Sequence, residues 1–227
     1  MAIQFIIGGS GTGKTSYIYE EMIRESMKAD HRPILYILPE QSNMSAEQEM
    51  VKRHPNGGTM DISILSFTRL SFMVFDELGI KTNDILDDYG KSMVIRRVLG
   101  SVNEQLGFYK NCGDKPGFIE EIKKMISEFY QYQLQGAALD KAIQSLDSNT
   151  GLYYKMKDLQ LIFNAFSEYL SDQYMVAEQV LSLLTEVAEQ SRILKDAMIY
   201  MDGFSGFTPI QYGVLEELLK LGCDIRI

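Results

Sequence analysis

The residues with the clearest chemical potential stand near the start of the chain. There Gly8-Gly9-Ser10-Gly11-Thr12-Gly13-Lys14-Thr15 fits the spacing G-x-x-x-x-G-K-[ST]. Glycines let a backbone curve closely around an anion, so that successive N–H groups point inward. A helix that begins at Lys14 adds the positive end of its dipole. In such a loop the lysine reaches the β- and γ-phosphates and the threonine hydroxyl ligates Mg²⁺. We therefore predict that residues 8–15 bind ATP with Mg²⁺.

A second magnesium ligand is predicted at Asp202, which follows the apolar run Ala197–Met201 (AMIYM). In domains with this kind of loop, an aspartate after a neighbouring strand holds the metal together with the loop hydroxyl, here that of Thr15. An aspartate also follows apolar strands for turn chemistry alone, which is the alternative. No catalytic residue is identified by a specific pattern. The weak candidates, for which loop or cap roles are the alternative, are Asp202, Glu40, Gln41 and Gln211.

The elements that would position these residues alternate at both ends of the chain. Apolar runs at residues 3–7, 34–38, 62–66 and 197–201 predict buried strands, the first of which leads directly into the glycines. An apolar stripe predicts a helix over residues 14–27, and an amphipathic pattern with a capping signal predicts one over residues 209–221. Residues 45–52 are interpreted as a short polar helix. Such alternation favours a parallel sheet with helices on both faces. We therefore predict an α/β fold of the P-loop NTPase (RecA-like) class.

The middle of the chain has a different pattern, because residues 89–191 contain almost no strand signal. Apolar residues at helical spacing predict four helices there, around residues 93–99, 118–129, 159–170 and 176–187. A block of this size can form a small core of its own. We predict a P-loop domain of residues 1–88 and 192–227, interrupted by an all-helical insertion at residues 89–191. Because a strand begins at Ile225 and no helix follows it, we expect a truncated protein.

Composition limits the class of protein further. The chain has 227 residues and a formal net charge of −9, an acidic excess that argues against strong nucleic-acid binding by this chain alone. Two cysteines, Cys112 and Cys223, and two histidines, His31 and His54, lack metal-binding spacing, so reduced thiols are expected. Neither a signal peptide nor an apolar run of spanning length occurs, and we expect a cytoplasmic protein without a membrane partner.

Three further segments, taken with the glycine-rich loop, resemble one known family. They are LPEQ at residues 38–41, SFTRL at residues 66–70 and MDGFSGFTPIQ at residues 201–211, of which the pattern DGFxxFTP is the most specific. Together they resemble AddB, also called RexB, a subunit of the AddAB helicase–nuclease that processes double-strand DNA breaks. The resemblance covers the whole chain. It implies an N-terminal fragment of a superfamily 1 helicase-like protein, with a 1A-like α/β domain and a 1B-like helical insertion.

The resemblance also implies partners and activity. AddB pairs with the motor subunit AddA, so a heterodimer with an AddA-like subunit, and DNA within that assembly, are expected. Family members keep the phosphate loop and have lost most motor motifs. Gly203 stands where active motors carry a glutamate that orients water, so we expect ATP binding with little hydrolysis. The full-length family carries a C-terminal nuclease domain with an iron–sulfur cluster, which this fragment lacks.

Candidate DNA contacts come from the same resemblance. LPEQ and SFTRL correspond to segments that face single-stranded DNA, or couple it to ATP, in active relatives. The residues that this implies are Ser42, Asn43, Phe67, Thr68 and Arg69. An aromatic ring next to an arginine suits base stacking and phosphate contact. Phe67 fits a place in the core equally well, and Arg69 fits a solvated helix start.

Three functions stay open from the sequence. The first is an ATP-binding subunit of an ATP-dependent helicase–deoxyribonuclease, acting in double-strand break repair and recombination with weak or no motor activity of its own. The second is a free-standing P-loop NTPase or kinase, which needs an acceptor-binding acid and a lid arginine that the sequence does not show. The third is a structural docking module that does not hydrolyse nucleotide.

Overall fold

A computed structural model describes residues 2–29, 32–58, 61–82, 84–113, 115–170 and 173–227. The chain forms two compact units, one of Met1–Lys81 with Leu181–Ile227 and one of Thr82–Val180. The sequence predicts these two domain boundaries after residues 88 and 191, which is further along the chain than the boundaries of the two units. The assignment of these units to 1A-like and 1B-like subdomains stays a prediction.

The described residues form short strands and longer helices, numbered here in chain order. The strands are β1 (Ala2–Gln4), β2 (Ile34–Ile37), β3 (Ile62–Leu65), β4 (Asp84–Ile85), β5 (Tyr174–Met175), β6 (Met198–Met201) and β7 (Asp224–Arg226). The α-helices are α1 (Lys14–Ser26), α2 (Asn43–Arg53), α3 (Phe67–Leu78), α4 (Asp88–Val102), α5 (Pro116–Gln131), α6 (Ala137–Gln144), α7 (Gly151–Leu170), α8 (Ala177–Val187) and α9 (Pro209–Lys220).

The first unit is built on a five-stranded sheet in the order β1-β7-β6-β2-β3. Each neighbouring pair in this sheet is parallel, which confirms the predicted mixed α/β architecture with a mainly parallel sheet. The central strands β2 and β6 are buried at all four positions, so both of their faces are covered. Their β-branched and aromatic residues suit such strands. Residues that follow β2 and β6 are therefore held by a rigid support.

The first strand differs from its prediction. The run at residues 3–7 was expected to be a buried strand, but β1 ends at Gln4, and Ile3, Phe5 and Ile7 are 42%, 67% and 92% exposed. The physical reason is the position of β1 at the sheet edge, where among the described strands it pairs only with β7. Apolar composition predicts a strand but does not reveal whether that strand lies at the edge or in the centre.

Two helices of the first unit begin with side-chain caps. The hydroxyl of Ser66 accepts the N–H of Arg69 at the start of α3. At α9, Thr208 and Gln211 form a capping box, with Pro209 at the first helical position. Both arrangements satisfy N–H groups that have no partner within the helix. The predicted start of the helix at residues 209–221 is thereby confirmed.

The second unit is mainly helical, and its core is formed by apolar side chains of α4, α5, α6 and α7. A largely buried ion pair adds to it, because the Lys91 ammonium lies 3.0 Å from the carboxylate of Glu178. The prediction of an all-helical block at residues 89–191 was wrong in one detail, because the short strand β5 lies within it. β4 and β5 pair in parallel, and the N–H of Leu86 donates to the carbonyl of Met175 at 2.9 Å. A two-residue strand is too short to leave a periodic signal in the sequence.

Across the described residues, none of the helices has both the length and the apolar character that crossing a membrane requires.

Candidate functional site

The glycine-rich loop connects the end of β1 to α1, and two of its glycines adopt conformations that other residues rarely reach. Gly11 has a φ of 75° and Gly13 a φ of 90°, both in the left-handed region. Gly13 is the N-cap of α1 and has no side chain to cap that helix. The first N–H groups of α1 therefore have no side-chain acceptor at this cap. A helix start of this kind attracts an anion through its free N–H groups and its dipole.

At Gly8 a glycine is required for a different reason, which is space. A Cβ added at Gly8 would lie 2.6 Å from the Oγ1 of Thr12, whereas one added at Gly9 would meet its nearest atom at 3.7 Å. The Thr12 hydroxyl is held in this position because it donates to the carbonyl oxygen of Gly9 at 2.9 Å. The loop therefore closes over Gly8 and leaves room for a side chain at Gly9.

The side chain of Lys14 folds back over this loop. Its ammonium donates to the carbonyl oxygens of Gly8 and Gly9, at 2.7 and 2.8 Å. A positive charge thus lies within the curve of the backbone, close to the positive end of α1. Both features favour a negatively charged ligand, and the flexible lysine stem lets the ammonium move from carbonyl to anion.

Thr15 and Asp202 meet although 187 positions separate them in the sequence. The hydroxyl of Thr15 donates to the Oδ2 of Asp202 at 2.6 Å. Asp202 directly follows β6, and its N–H donates to the carbonyl of Ile37 at 3.4 Å, which extends the pairing with β2. Its Oδ1 accepts the N–H of Gly203 at 2.8 Å, which fixes the carboxylate. Hydroxyl and carboxylate oxygens are ligands that Mg²⁺ prefers, so these two residues fit a magnesium site.

Gly203, the next residue, has a φ of 78°. A Cβ at this position would lie 3.4 Å from the Cδ of Pro39, which is an ordinary van der Waals contact. A glutamate here would therefore be strained by its positive φ rather than by a lack of space. The local geometry explains why a glycine rather than an acidic residue follows Asp202.

Two tyrosines behind Asp202 were not identified as site residues from the sequence. The hydroxyl of Tyr36 donates to the Oδ2 of Asp202 at 3.5 Å, and the ring of Tyr19 packs edge-on against Tyr36 at 5.6 Å. Burial raises the pKa of Tyr36, and the negative charge of Asp202 raises it further, so the phenol stays protonated and can donate. The only sign of this role in the sequence is that Tyr36 brings a hydroxyl group into the apolar run ILYIL at residues 34–38.

A cavity of about 450 Å³ adjoins this cluster. Thr15, Tyr36, Ser42 and Asp202 contribute to its lining, and Arg53 lies at its wall. Ser42 is therefore the candidate DNA contact that shares a cavity with the predicted magnesium ligands.

The other candidates for catalysis have local partners or remain exposed. Glu40 accepts a hydrogen bond from the hydroxyl of Ser66 at 3.4 Å. The side-chain oxygen of Gln211 accepts the N–H of Thr208 at 2.9 Å, so that it serves as a helix cap. Gln41 is exposed. A catalytic role for any of the three stays a prediction.

The remaining candidate DNA contacts lie in different environments. Asn43 and Arg69 line a cavity of about 450 Å³, where Arg69 also pairs with Glu47 at 3.2 Å. Thr68 is half-buried. Phe67 is 5% exposed, and its ring packs edge-on against that of Phe204 with 5.7 Å between the ring centres. This environment agrees with the alternative that Phe67 belongs to the core. A ring buried in this way cannot stack on a base without a change of conformation.

Both cysteines are free thiols. Cys223 is buried, its Sγ donates to the carbonyl of Leu194 at 3.0 Å, and burial raises its pKa to about 11. Cys112 is partly buried. His54 is buried, while His31 lies outside the described residues.

Known proteins similar to this chain agree on one family. The family model described as ADDB, N-terminal, matches residues 5–227. An ATP-dependent helicase/deoxyribonuclease subunit of Lachnoclostridium phytofermentans is 38% identical over 100% of the chain, and that of Thermoanaerobacter pseudethanolicus is 34% identical over 100%. The protein of the same name from Anoxybacillus flavithermus is 36% identical over 96% of the chain. The chain spans 20%, 20% and 19% of these relatives, respectively, or about a fifth of their length.

Proposed function

The chain belongs to the family of AddB N-terminal regions, and from that premise we propose that it is the ATP-binding part of a helicase–nuclease subunit. The relatives are named as a subunit of an ATP-dependent helicase/deoxyribonuclease. The whole protein would act on DNA during the repair and recombination of double-strand breaks. The first unit would then be a P-loop NTPase domain of the RecA-like class.

The observation that carries this proposal is the meeting of Thr15 and Asp202 at 2.6 Å. It places a hydroxyl and a carboxylate side by side at the positive end of α1, next to the loop that holds the Lys14 ammonium. A triphosphate in the loop would accept hydrogen bonds from backbone N–H groups and from the Lys14 ammonium, while Thr15 and Asp202 would hold its Mg²⁺. Mg²⁺ neutralises charge on the phosphates. The Tyr36 hydroxyl would keep Asp202 in place.

We propose in addition that this chain hydrolyses ATP slowly or not at all. Gly203 provides no carboxylate to orient an attacking water, and its backbone disfavours a glutamate. The side chain of Gln211 is held by a helix cap, so it is not free to substitute. ATP would then act as a structural or signalling ligand of the assembly. A turnover rate close to that of active motors would contradict this part of the proposal.

The relatives are each named as one subunit of an enzyme, which implies at least one further chain. We propose an AddA-like motor as that chain, in a heterodimer, with DNA bound by the assembly. Nuclease chemistry, and the iron–sulfur cluster expected for the full-length family, would belong to the part of the relatives that this chain does not span.

The test is the Mg²⁺ dependence of ATP binding, measured by isothermal titration calorimetry with and without excess Mg²⁺. For the wild-type chain we expect Mg²⁺ to lower the Kd for ATP by about tenfold, because the metal joins the phosphates to Thr15 and Asp202. Asp202→Asn removes one negative ligand, so the effect of Mg²⁺ should largely disappear. Asp76→Asn is the matched control, since Asp76 is an exposed carboxylate on α3.

The outcomes separate the alternative functions. Binding that depends on Mg²⁺ in the wild type and in Asp76→Asn, but not in Asp202→Asn, supports the proposal. An absence of ATP binding by the wild type would favour the structural docking module. Rapid phosphoryl transfer to water or to a small acceptor would favour a free-standing NTPase or kinase.

A further inference from the structure

A groove of about 800 Å³ lies in the second unit, alongside α4. Its lining includes three tyrosines, Tyr89, Tyr169 and Tyr174, and also Met93. Tyr89 is 83% exposed and Met93 is 74% exposed. A cluster of large, exposed, apolar side chains in a concave surface indicates a binding site.

The groove is also locally positive. Arg96 and Arg97 belong to its lining, whereas none of the described residues that line it is Asp or Glu. The guanidinium of Arg97 lies 5.5 Å from the centre of the Tyr169 ring, in a cation–π contact. In a chain with a formal net charge of −9, two arginines without an acidic neighbour in the lining are a distinct feature.

The two acidic residues at the start of α4 have their own partners. Asp87 accepts the N–H of Gly90 at 2.7 Å, as the N-cap of α4. Asp88 lies 3.8 Å from the ammonium of Lys123. Within the described part of the chain, neither carboxylate pairs with Arg96 or Arg97. The two guanidinium groups are therefore available to an anionic ligand.

We propose that this groove binds single-stranded nucleic acid. Bases would stack on the exposed tyrosine rings, Tyr89 first among them, and phosphates would lie next to Arg96 and Arg97. Single-strand sites combine aromatic platforms with arginines in this way, and stacking tolerates any base because every base has a π-face. A duplex keeps its base faces covered, so the exposed rings favour unpaired bases.

This site is separate from those in the first unit. Every residue of the groove lies within Thr82–Val180, whereas the loop with Lys14 and the candidate contact Arg69 belong to the other unit. The inference rests on the proposed function only in sharing DNA as the substrate class. Loss of ATP binding and loss of groove binding can therefore be measured independently.

The experiment measures fluorescence anisotropy of a labelled oligo(dT) of about 16 nucleotides with the 227-residue chain at low salt. Arg96→Ala combined with Arg97→Ala should weaken binding about tenfold or more. The slope of log Kd against log salt should fall by about 1.4, because two phosphate contacts are lost. Tyr89→Ala should weaken binding about tenfold through lost stacking, while Tyr89→Phe keeps the ring and should bind like the wild type.

The matched control is Lys124→Ala combined with Lys141→Ala, which removes the same charge from exposed positions of the same unit outside the groove. It should change Kd less than twofold. Circular dichroism and thermal unfolding confirm that each variant is folded.

Four results would overturn the inference. The first is that the wild type does not bind oligo(dT), and the second is that the groove and control variants lose equal affinity for it. The third is that the groove variants keep the wild-type affinity, and the fourth is that only Arg69→Ala lowers the affinity. Groove variants that keep DNA affinity but lose self-association in sedimentation would instead assign the groove to a second copy of the chain. Lys14→Ala should bind ATP more weakly than the wild type and should keep the wild-type affinity for oligo(dT). A failure of the ATP proposal can therefore be recognised separately.

Discussion

The replacement of Gly8 by alanine tests the geometry of the glycine-rich loop in detail. The new Cβ would lie 2.6 Å from the Oγ1 of Thr12, well inside the 3.4 Å at which ordinary contacts begin. Thr12 can relieve this overlap only by rotating its hydroxyl, which breaks its hydrogen bond to Gly9, or by shifting the backbone. We estimate the combined cost at about 1–3 kcal/mol, which corresponds to a five- to 150-fold rise in the Kd for ATP.

The assay is calorimetric titration with Mg-ATP, accompanied by thermal unfolding. Residues 8–13 are exposed, so the cost of Gly8→Ala should appear in ATP binding rather than in Tm. Gly9→Ala is the matched control from the neighbouring position, because its Cβ has 3.7 Å of space and should leave Kd nearly unchanged.

A double-mutant cycle makes the reasoning refutable. Thr12→Ala removes the clashing hydroxyl, so Gly8→Ala combined with Thr12→Ala should bind ATP about as well as Thr12→Ala alone. If Gly8→Ala binds ATP like the wild type, or if its defect persists in the double variant, the close contact between Gly8 and Thr12 is not what shapes this loop.

Two further predictions concern buried groups. Burial alone would raise the pKa of Glu178, but the hydroxyl of Ser127 and the ammonium of Lys91 outweigh burial and hold that pKa below its ordinary value. Glu178→Gln should therefore lower the free energy of unfolding by about 3–5 kcal/mol at pH 7. In urea titrations this deficit should shrink as the pH falls through the folded-state pKa of Glu178, because the wild type then loses the same ion pair. A deficit that stays constant down to pH 3 would refute the ion-pair explanation. The raised pKa and burial of Cys223 predict that iodoacetamide at pH 8 labels Cys112 first, and labelling of Cys223 at a comparable rate in the folded chain would contradict this.

Much of the fold of the first unit follows from local sequence patterns. The loop and the start of α1 at Lys14 come from glycine spacing, and β2 and β6 come from short runs rich in branched and aromatic residues. The start of α9 comes from Thr208 and Pro209. In each case the decisive interactions lie within a few residues of one another, so a local pattern is sufficient.

The features that sequence reasoning missed depend on partners that are distant in the chain. The exposure of Phe5 follows from the edge position of β1, which is set by pairing with β7 more than two hundred residues later. The role of Tyr36 follows from Asp202, which directly follows the neighbouring strand β6. The pairing of β4 with β5 likewise joins short segments that are apart in sequence. No periodic pattern encodes such contacts.

Lys14 gives the most direct test of the central claim, which is that the loop encloses the phosphates of ATP. The Kd for Mg-ATP of the wild type should be measured beside those of Lys14→Ala and Lys52→Ala, the latter removing an exposed lysine of α2. A charged hydrogen bond contributes about 1.5–3 kcal/mol, so Lys14→Ala should weaken binding roughly 10- to 150-fold and Lys52→Ala hardly at all. Equal affinity in the wild type and Lys14→Ala would contradict the account.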